Sequence, residues 1–329
     1  MKARALGSTG IAVSPVGLGT WALGGPFATG DQPLGWGRTD DAESQRVLHA
    51  ALDAGVTLFD TADAYGTGHA ERLLGAAVRG RRDDVVLVSK WGNTYDEDAR
   101  QLTGIDPSPT YVRRALDASL RRLDTDWIDV YLLHLADLPI DQAGELTAAL
   151  DDLVAEGRIR AYGWSSDDVG RVASWAGRPG CAATEFEINV LRDAPALVEL
   201  CETEGLLGLC RGPLAMGLLG GRYSADTEVG AQDVRGRQAP EWMRWFRDGR
   251  PLPEGIAAIS ALREVLTSDG RTLAQGALAW IWARSRTLVP VPGARTVAQL
   301  QDNVAALDHG PLTAAQMRQV DDVVSGVAI

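Results

Sequence analysis

The chain has 329 residues, with 32 Lys and Arg against 44 Asp and Glu, a formal net charge of −12. Hydrophobic residues make up 45% and charged residues 23%, the balance of a folded globular chain and not of a disordered one. The acidic balance excludes sequence-independent binding to nucleic acid or to anionic lipid, which need a net basic face, but leaves room for a small polyanionic ligand held by a few local Arg or Lys.

Cys181, Cys201 and Cys210 share no C-x-x-C spacing, and an odd count in so long a chain makes no disulfide framework. They read as reduced, buried thiols. The first residues hold no apolar stretch of signal-peptide length, and no window approaches the ~20 apolar residues of a membrane span. The expectation is a soluble, cytoplasmic protein.

Residues 2–14 read as two short strands around the turn Gly7-Ser8-Thr9-Gly10, a hairpin placed to cap one mouth of the fold. Eight short apolar runs follow, at Val16–Thr20, Val56–Phe59, Val85–Val88, Ile128–Leu133, Ile159–Gly163, Ala182–Phe186, Leu206–Leu209 and Leu288–Val291. Between them lie helix-periodic segments such as Asp41–Ala54, Ala70–Val78, Pro109–Arg122, Ala143–Ala155, Asp167–Trp175 and Ala194–Glu204. Strand-then-helix alternation implies right-handed βαβ units and a parallel sheet. Eight such units in about 300 residues favour a closed barrel over an open doubly wound sheet. After the seventh run, residues 222–254 form a polar insertion rich in Gly, Pro and Trp, of the kind that becomes a lid or a disordered loop. Thr313–Val324 reads as a terminal helix with Thr313 as its N-cap. No linker or repeat interrupts the pattern. The fold class expected is therefore α/β, a (β/α)8 TIM barrel forming one domain over residues 1–329.

Three consecutive runs end on ionisable residues: VTLFD at Asp60, VVLVSK at Lys90 and VYLLH at His134. The C-terminal ends of barrel strands form one rim, and that rim carries the active site. Tyr65 follows Asp60 by five residues, just above the same rim. A phenol with a pKa near ~10 donates or accepts protons poorly at neutral pH unless a cation supports its phenolate. Lys90 supplies that cation, Asp60 holds the ammonium in place, and a neutral His134 orients a substrate carbonyl. Such a set suits general acid catalysis on an aldehyde or ketone that accepts hydride.

The motif Asp60-Thr61-Ala62-Asp63-Ala64-Tyr65-Gly66 with Glu71 and Gly75, then Ser89-Lys90 and Leu132-Leu133-His134, resembles the aldo-keto reductases. The likeness continues through Gly157-Arg158-Ile159-Arg160, Gly163-Trp164-Ser165-Ser166, Pro213-Leu214-Ala215-Met216-Gly217-Leu218-Leu219 and Pro292-Gly293-Ala294-Arg295. It covers nearly the whole chain. The resemblance implies NADPH lying across the rim and Asp60, Tyr65, Lys90 and His134 as the catalytic group, with Tyr65 the proton donor. It implies that Gly19, Thr20 and Trp21 border the nicotinamide and that Ser165 holds the carboxamide. Ser166 stands where Asn is more usual, Glu185 where Gln is frequent, and Arg211 where an aromatic ring usually stacks on the nicotinamide. The pyrophosphate is expected along the backbone of Pro213, Leu214, Met216, Gly217 and Leu218, with Arg222 nearby. Gly293 and Arg295 match the adenosine-phosphate segment, and Gln299 and Asn303 the neighbourhood of the adenine. A Rossmann site is not indicated, because Gly17-x-Gly19 and Gly66-x-Gly68 lack the third glycine at the required spacing. No metal-ligand motif is present either, and no catalytic metal is expected.

Ten Trp are many for this length. Trp21 and Trp91, at the first and third strand ends, are placed to line a substrate mouth, with Trp36 near the first of them. Trp242, Trp245 and Phe246 lie in the insertion that folds over it. The charges of Glu185 and Arg211 lie on neighbouring strands, and the expectation is that the two side chains pair. The leading functional reading is an NADPH-dependent carbonyl reductase acting on a small-molecule carbonyl, in a natural-product (polyketide) or deoxysugar context. The alternatives are a cofactor-binding regulatory subunit and an NAD-dependent sugar or alcohol dehydrogenase. A homo-oligomer is compatible with all of them.

Overall fold

The computed structural model describes residues 1–326. Eight parallel strands pair in chain order: β1 (Gly17–Gly19), β2 (Leu58–Asp60), β3 (Val86–Trp91), β4 (Ile128–Leu133), β5 (Ile159–Ser165), β6 (Cys181–Glu187), β7 (Leu207–Arg211) and β8 (Leu288–Pro290). The ring closes where Gly19 bridges Gly293 and its N–H donates to the carbonyl of Pro292 at 3.1 Å. A Cβ on Gly19 would lie 2.8 Å from the Val291 carbonyl oxygen, so only glycine permits that approach. The expected (β/α)8 barrel is the fold observed.

Alternation along each strand divides the apolar residues into two layers. Leu58, Val86, Val88, Val130, Leu132, Ala183, Leu209 and Val289 fill the barrel interior. Phe59, Leu87, Trp91, Tyr131 and Leu133 face outward against the helices. These helices are α1 (Asp41–Asp53), α2 (His69–Val78), α3 (Pro109–Leu123), α4 (Thr147–Ala155), α5 (Val169–Trp175), α6 (Pro195–Glu204), α7 (Leu273–Arg284) and α8 (Val297–His309). Local sequence fixes their starts. Asp40, Ser108, Asp168 and Thr296 cap α1, α3, α5 and α8 with side-chain oxygens, and Thr272 with Gln275 forms a capping box on α7.

The predicted N-terminal hairpin forms between Arg4–Ala5 and Ala12–Val13, and plugs the lower mouth with Leu6 and Val13. The terminal helix Ala314–Gly326 begins after Thr313, whose hydroxyl accepts from Gln316 N–H. Two features at the upper rim were not anticipated. Ala28–Thr29, Gln32–Pro33, Asn93–Asp96 and Gln101–Ile105 make a small four-stranded patch. The insertion is ordered by a latch: Asp233 and Arg235 pair at 2.8 Å, both buried, and the Arg235 guanidinium lies 4.3 Å over the Trp36 ring. Arg235 also donates to the Met216 carbonyl at 3.0 Å, Val234 N–H donates to the Gly35 carbonyl at 2.7 Å, and Trp245 Nε1 donates to Glu187 at 3.1 Å. No described helix is long and apolar enough to cross a membrane.

Candidate functional site

The same alternation that fills the interior with Leu58, Val86 and Val88 carries Asp60 and Lys90 inward at the upper end of their strands. His134 lies one residue beyond β4, its N–H donating to the Trp91 carbonyl at 2.7 Å. Tyr65 is held over the rim by a loop stitched to β3, through Thr61 N–H to Val88 and Asp63 N–H to Lys90. The four predicted residues therefore converge on one point.

The ammonium of Lys90 is fully buried and donates to Asp60 Oδ1 at 2.5 Å, to the Thr61 carbonyl at 3.1 Å and to the Tyr65 hydroxyl at 3.3 Å. Those three bonds use its three N–H groups. Burial alone would lower its pKa, but Asp60 and Glu185 outweigh burial and hold the group charged well above its ordinary value. Burial raises the Tyr65 phenol above its ordinary value while Lys90 draws it back down. Because the phenol oxygen accepts from Lys90, its own O–H is left to donate elsewhere. His134, edge-on to Tyr65 at 5.9 Å, is pushed down to about 3 by burial and by the nearby Lys90 and Arg211 charges, so its ring is neutral.

Glu185 and Arg211 do not pair, contrary to expectation. Parallel register sets Arg211 opposite Glu187, and Glu185 opposite Leu209 one layer deeper. Arg211, 38% exposed at its side chain, binds Asp167 at 2.7 Å in a rim network that Arg192 shares. Glu185, 1% exposed, instead stands 3.2 Å from Lys90 Nζ and accepts a long bond of 3.4 Å from Ser165 Oγ.

Trp91 is also corrected. It follows Lys90 by one residue, so the pleat turns it outward, where it is fully buried against Tyr131 and lines no mouth. Trp21 does stand at the mouth. Its ring stacks on Tyr65 at 5.9 Å, meets Trp36 edge-on at 5.5 Å and carries Trp242 of the insertion at 6.1 Å. Trp242 is 52% exposed, while Trp245 and Phe246 are the buried rings of the insertion.

The remaining predicted residues lie at the ends of β1, β5, β7 and β8 and in the segments that follow them. The Thr20 N–H and hydroxyl both bond to the Asp60 carbonyl, and the Ser166 hydroxyl bonds to the Ala136 carbonyl at 2.7 Å. From Pro213 to Leu218 the chain makes a tight turn with left-handed Ala215, Met216 and Gly217, at φ of 46°, 55° and 87°. Gly293 is exposed ahead of α8, Arg295 donates to the Trp36 carbonyl at 3.0 Å and the Arg38 carbonyl at 2.5 Å, and Gln299 accepts from the Arg295 N–H at 2.8 Å. Asn303 is buried on α8, and Arg222 is exposed in the insertion.

Behind the site lies a group given no role from sequence. Glu71 takes bonds from Ser89 at 2.6 Å and Arg122 at 2.7 Å, and burial with Glu71 alongside pushes the Asp63 carboxyl well above its usual range. The signal was the DTADAYG motif itself, whose second acid lies two residues before Tyr65.

The chain matches the Aldo/keto reductase family over residues 15–325. A relative named aldo-keto reductase yakc [NADP(+)], from Schizosaccharomyces pombe, is 28% identical over 281 residues, 83% of this chain and 80% of that protein. A second, the NADH-specific methylglyoxal reductase of Escherichia coli, is 29% identical over 323 residues, 94% of both chains. Among solved structures, the glycerol dehydrogenase of Gluconobacter oxydans superposes with a TM-score of 0.82 at 25% identity, covering 99% of this chain and 96% of that one. With the family match running unbroken from the first barrel strand into the terminal helix, the chain belongs to the Aldo/keto reductase family of oxidoreductases.

Proposed function

We propose that the protein reduces an aldehyde or ketone to the alcohol with NADPH, Tyr65 donating the proton. The observation that carries this reading is the Lys90 to Tyr65 bond, which fixes the phenol oxygen and leaves its O–H free at the rim. As negative charge develops on a carbonyl oxygen, a donor already aimed at it stabilises the transition state more than the ground state. Neutral His134 orients the carbonyl beside Tyr65, and Asp60 keeps Lys90 charged and in place.

A nicotinamide cofactor, when bound, supplies the hydride. The residues present fit one. The left-handed turn over Ala215, Met216 and Gly217 keeps the backbone close to the rim beyond β7, and Arg295 offers a guanidinium to an anion at the head of α8. Gly19, Thr20, Trp21, Ser165, Ser166, Glu185 and Arg211 would border the nicotinamide. Pro213, Leu214, Met216, Gly217 and Leu218 would border the pyrophosphate, and Gly293, Arg295, Gln299 and Asn303 the adenosine end. One relative carries NADP(+) in its name and another is NADH-specific, so membership of the family does not itself set the preference; in this chain the guanidinium of Arg295 at the head of α8 favours NADPH, whose 2′-phosphate it would pair with. The aromatic mouth of Trp21, Trp36 and Trp242 suits a bulky, partly apolar carbonyl, such as a polyketide ketone, better than a small sugar.

The test is NADPH consumption over a panel of aldehydes and ketones, with Tyr65→Phe beside the wild type. The variant is expected to lose about 10²–10⁴-fold in kcat. Its affinity for NADPH, read by fluorescence titration, should stay close to wild type. Retention of more than half of kcat would remove Tyr65 from the mechanism.

A further inference from the structure

Two buried carboxylates face one buried ammonium in this site. Asp60, Lys90 and Glu185 are 4%, 0% and 1% exposed, and Lys90 Nζ lies 2.5 Å from Asp60 Oδ1 and 3.2 Å from Glu185 Oε2. The three N–H groups of Lys90 already go to Asp60, Thr61 and Tyr65, so none is directed at Glu185. Glu185 Oε2 has no hydrogen-bond donor although it is buried. A buried carboxylate oxygen without a donor, next to a second carboxylate, is costly unless the pair retains a proton.

We propose that Asp60 and Glu185 share one proton across the Lys90 ammonium, and that Glu185 is a positioning residue setting how much of that charge reaches Tyr65. In the protonated state Glu185 offers one O–H donor and one carbonyl acceptor, the same complement as a glutamine amide. An acid can thus occupy a position beside Ser165 that suits a neutral side chain. Ionisation of the pair draws the Lys90 charge toward the carboxylates and away from the phenol.

The electrostatics agree. Burial, reinforced by Glu185 and opposed by Lys90, raises Asp60 to about 8. The groups that face the pair are Lys90 from β3, Tyr65 from the loop above β2 and Cys210 from β7, with His134 beyond Lys90.

The pairing itself is tested on protein without cofactor or substrate, so it can fail while the reductase reading stands. The reductase reading is tested separately by turnover on carbonyls, on which the role toward Tyr65 rests. Infrared difference spectra of wild type minus Glu185→Gln at about pH 6 should show a carboxylic-acid C=O band that ionises with a midpoint near 8. Asp63, also raised by burial, keeps its own acid band in both proteins and cancels. A folded-state pKa above the unfolded value gives stability that is present at low pH and lost as pH rises through the folded pKa. The Tm of Glu185→Gln relative to wild type should therefore climb between about pH 6 and about pH 9. Ultraviolet titration of Tyr65, isolated by subtracting Tyr65→Phe, should show the phenol ionising at lower pH in Glu185→Gln. Absence of the acid band, or a Tm difference independent of pH, would overturn the shared proton. An unshifted phenol would overturn the positioning role. Should Glu185→Gln not fold, titration of the acid band in Asp63→Asn, which lacks the Asp63 contribution, decides: a loss near 8 supports the pair, and no loss overturns it.

Discussion

Arg295 donates to the carbonyls of Trp36 and Arg38, and three of its five N–H groups remain for another partner. Paired hydrogen bonds to a 2′-phosphate are open to NADPH and not to NADH. Arg295→Ala is expected to raise KM for NADPH about tenfold more than KM for NADH, a difference of one or two charged hydrogen bonds. Equal rises would mean that Arg295 only braces the Trp36–Arg38 segment. For His134 the sign follows from burial: its folded pKa of about 3 lies below the ~6.5 of an unfolded histidine, so the unfolded chain takes up the proton first. Stability from this residue is complete above about pH 6.5 and declines as the pH falls below it. His134→Gln should therefore lose less Tm than wild type between about pH 6.5 and pH 4.5, as read by scanning calorimetry. The convergence of Asp60, Lys90 and His134 was legible because each ends an apolar run, and strand ends share a rim. The error at Trp91 has the same root, since one residue along a strand reverses the face. The partner of Arg211 was not legible, because register, not strand adjacency, decides which side chains meet.

At the scale of elements, the insertion depends on one buried ion pair. Removing Arg235 strands Asp233, 7% exposed, without its charge partner. Breaking such a pair costs about 3–5 kcal/mol. Arg235→Ala should speed proteolytic cutting within residues 222–254 while leaving the main thermal transition of the barrel nearly in place. Unchanged cutting would show that Val234 and Trp245 hold the segment without the latch. The barrel strands and helices were legible because they are long or strongly periodic, and several carry Ser, Thr or Asp caps. The patch at Ala28–Thr29, Gln32–Pro33, Asn93–Asp96 and Gln101–Ile105 was not. Two of its strands have two residues each, too few to show a period, and its two hairpins are joined by a single bridge, Ala28 to Gln101, between segments some 70 residues apart.

Across the whole molecule, the ring is joined at its narrowest seam by Gly19 and Gly293. Gly19→Ala places a Cβ 2.8 Å from the Val291 carbonyl, an overpacking that costs about 1–3 kcal/mol. Because the seam belongs to every strand through the hydrogen-bonded ring, the whole transition should move down by several degrees as one event. A separate early transition would place the seam outside the cooperative unit. The adjoining rings of Trp242, Trp21 and Tyr65 divide the protein in another way. Asp60, Lys90 and Glu185 stand on barrel strands, with His134 just past a strand end, whereas Trp21, Trp36 and Trp242 belong to loops and to the insertion. On the proposed function, what reacts and what is admitted are therefore written in separate stretches of the chain. A lineage can exchange one loop tryptophan, or the whole insertion, and inherit a new repertoire of substrates with the proton donor and its lysine untouched.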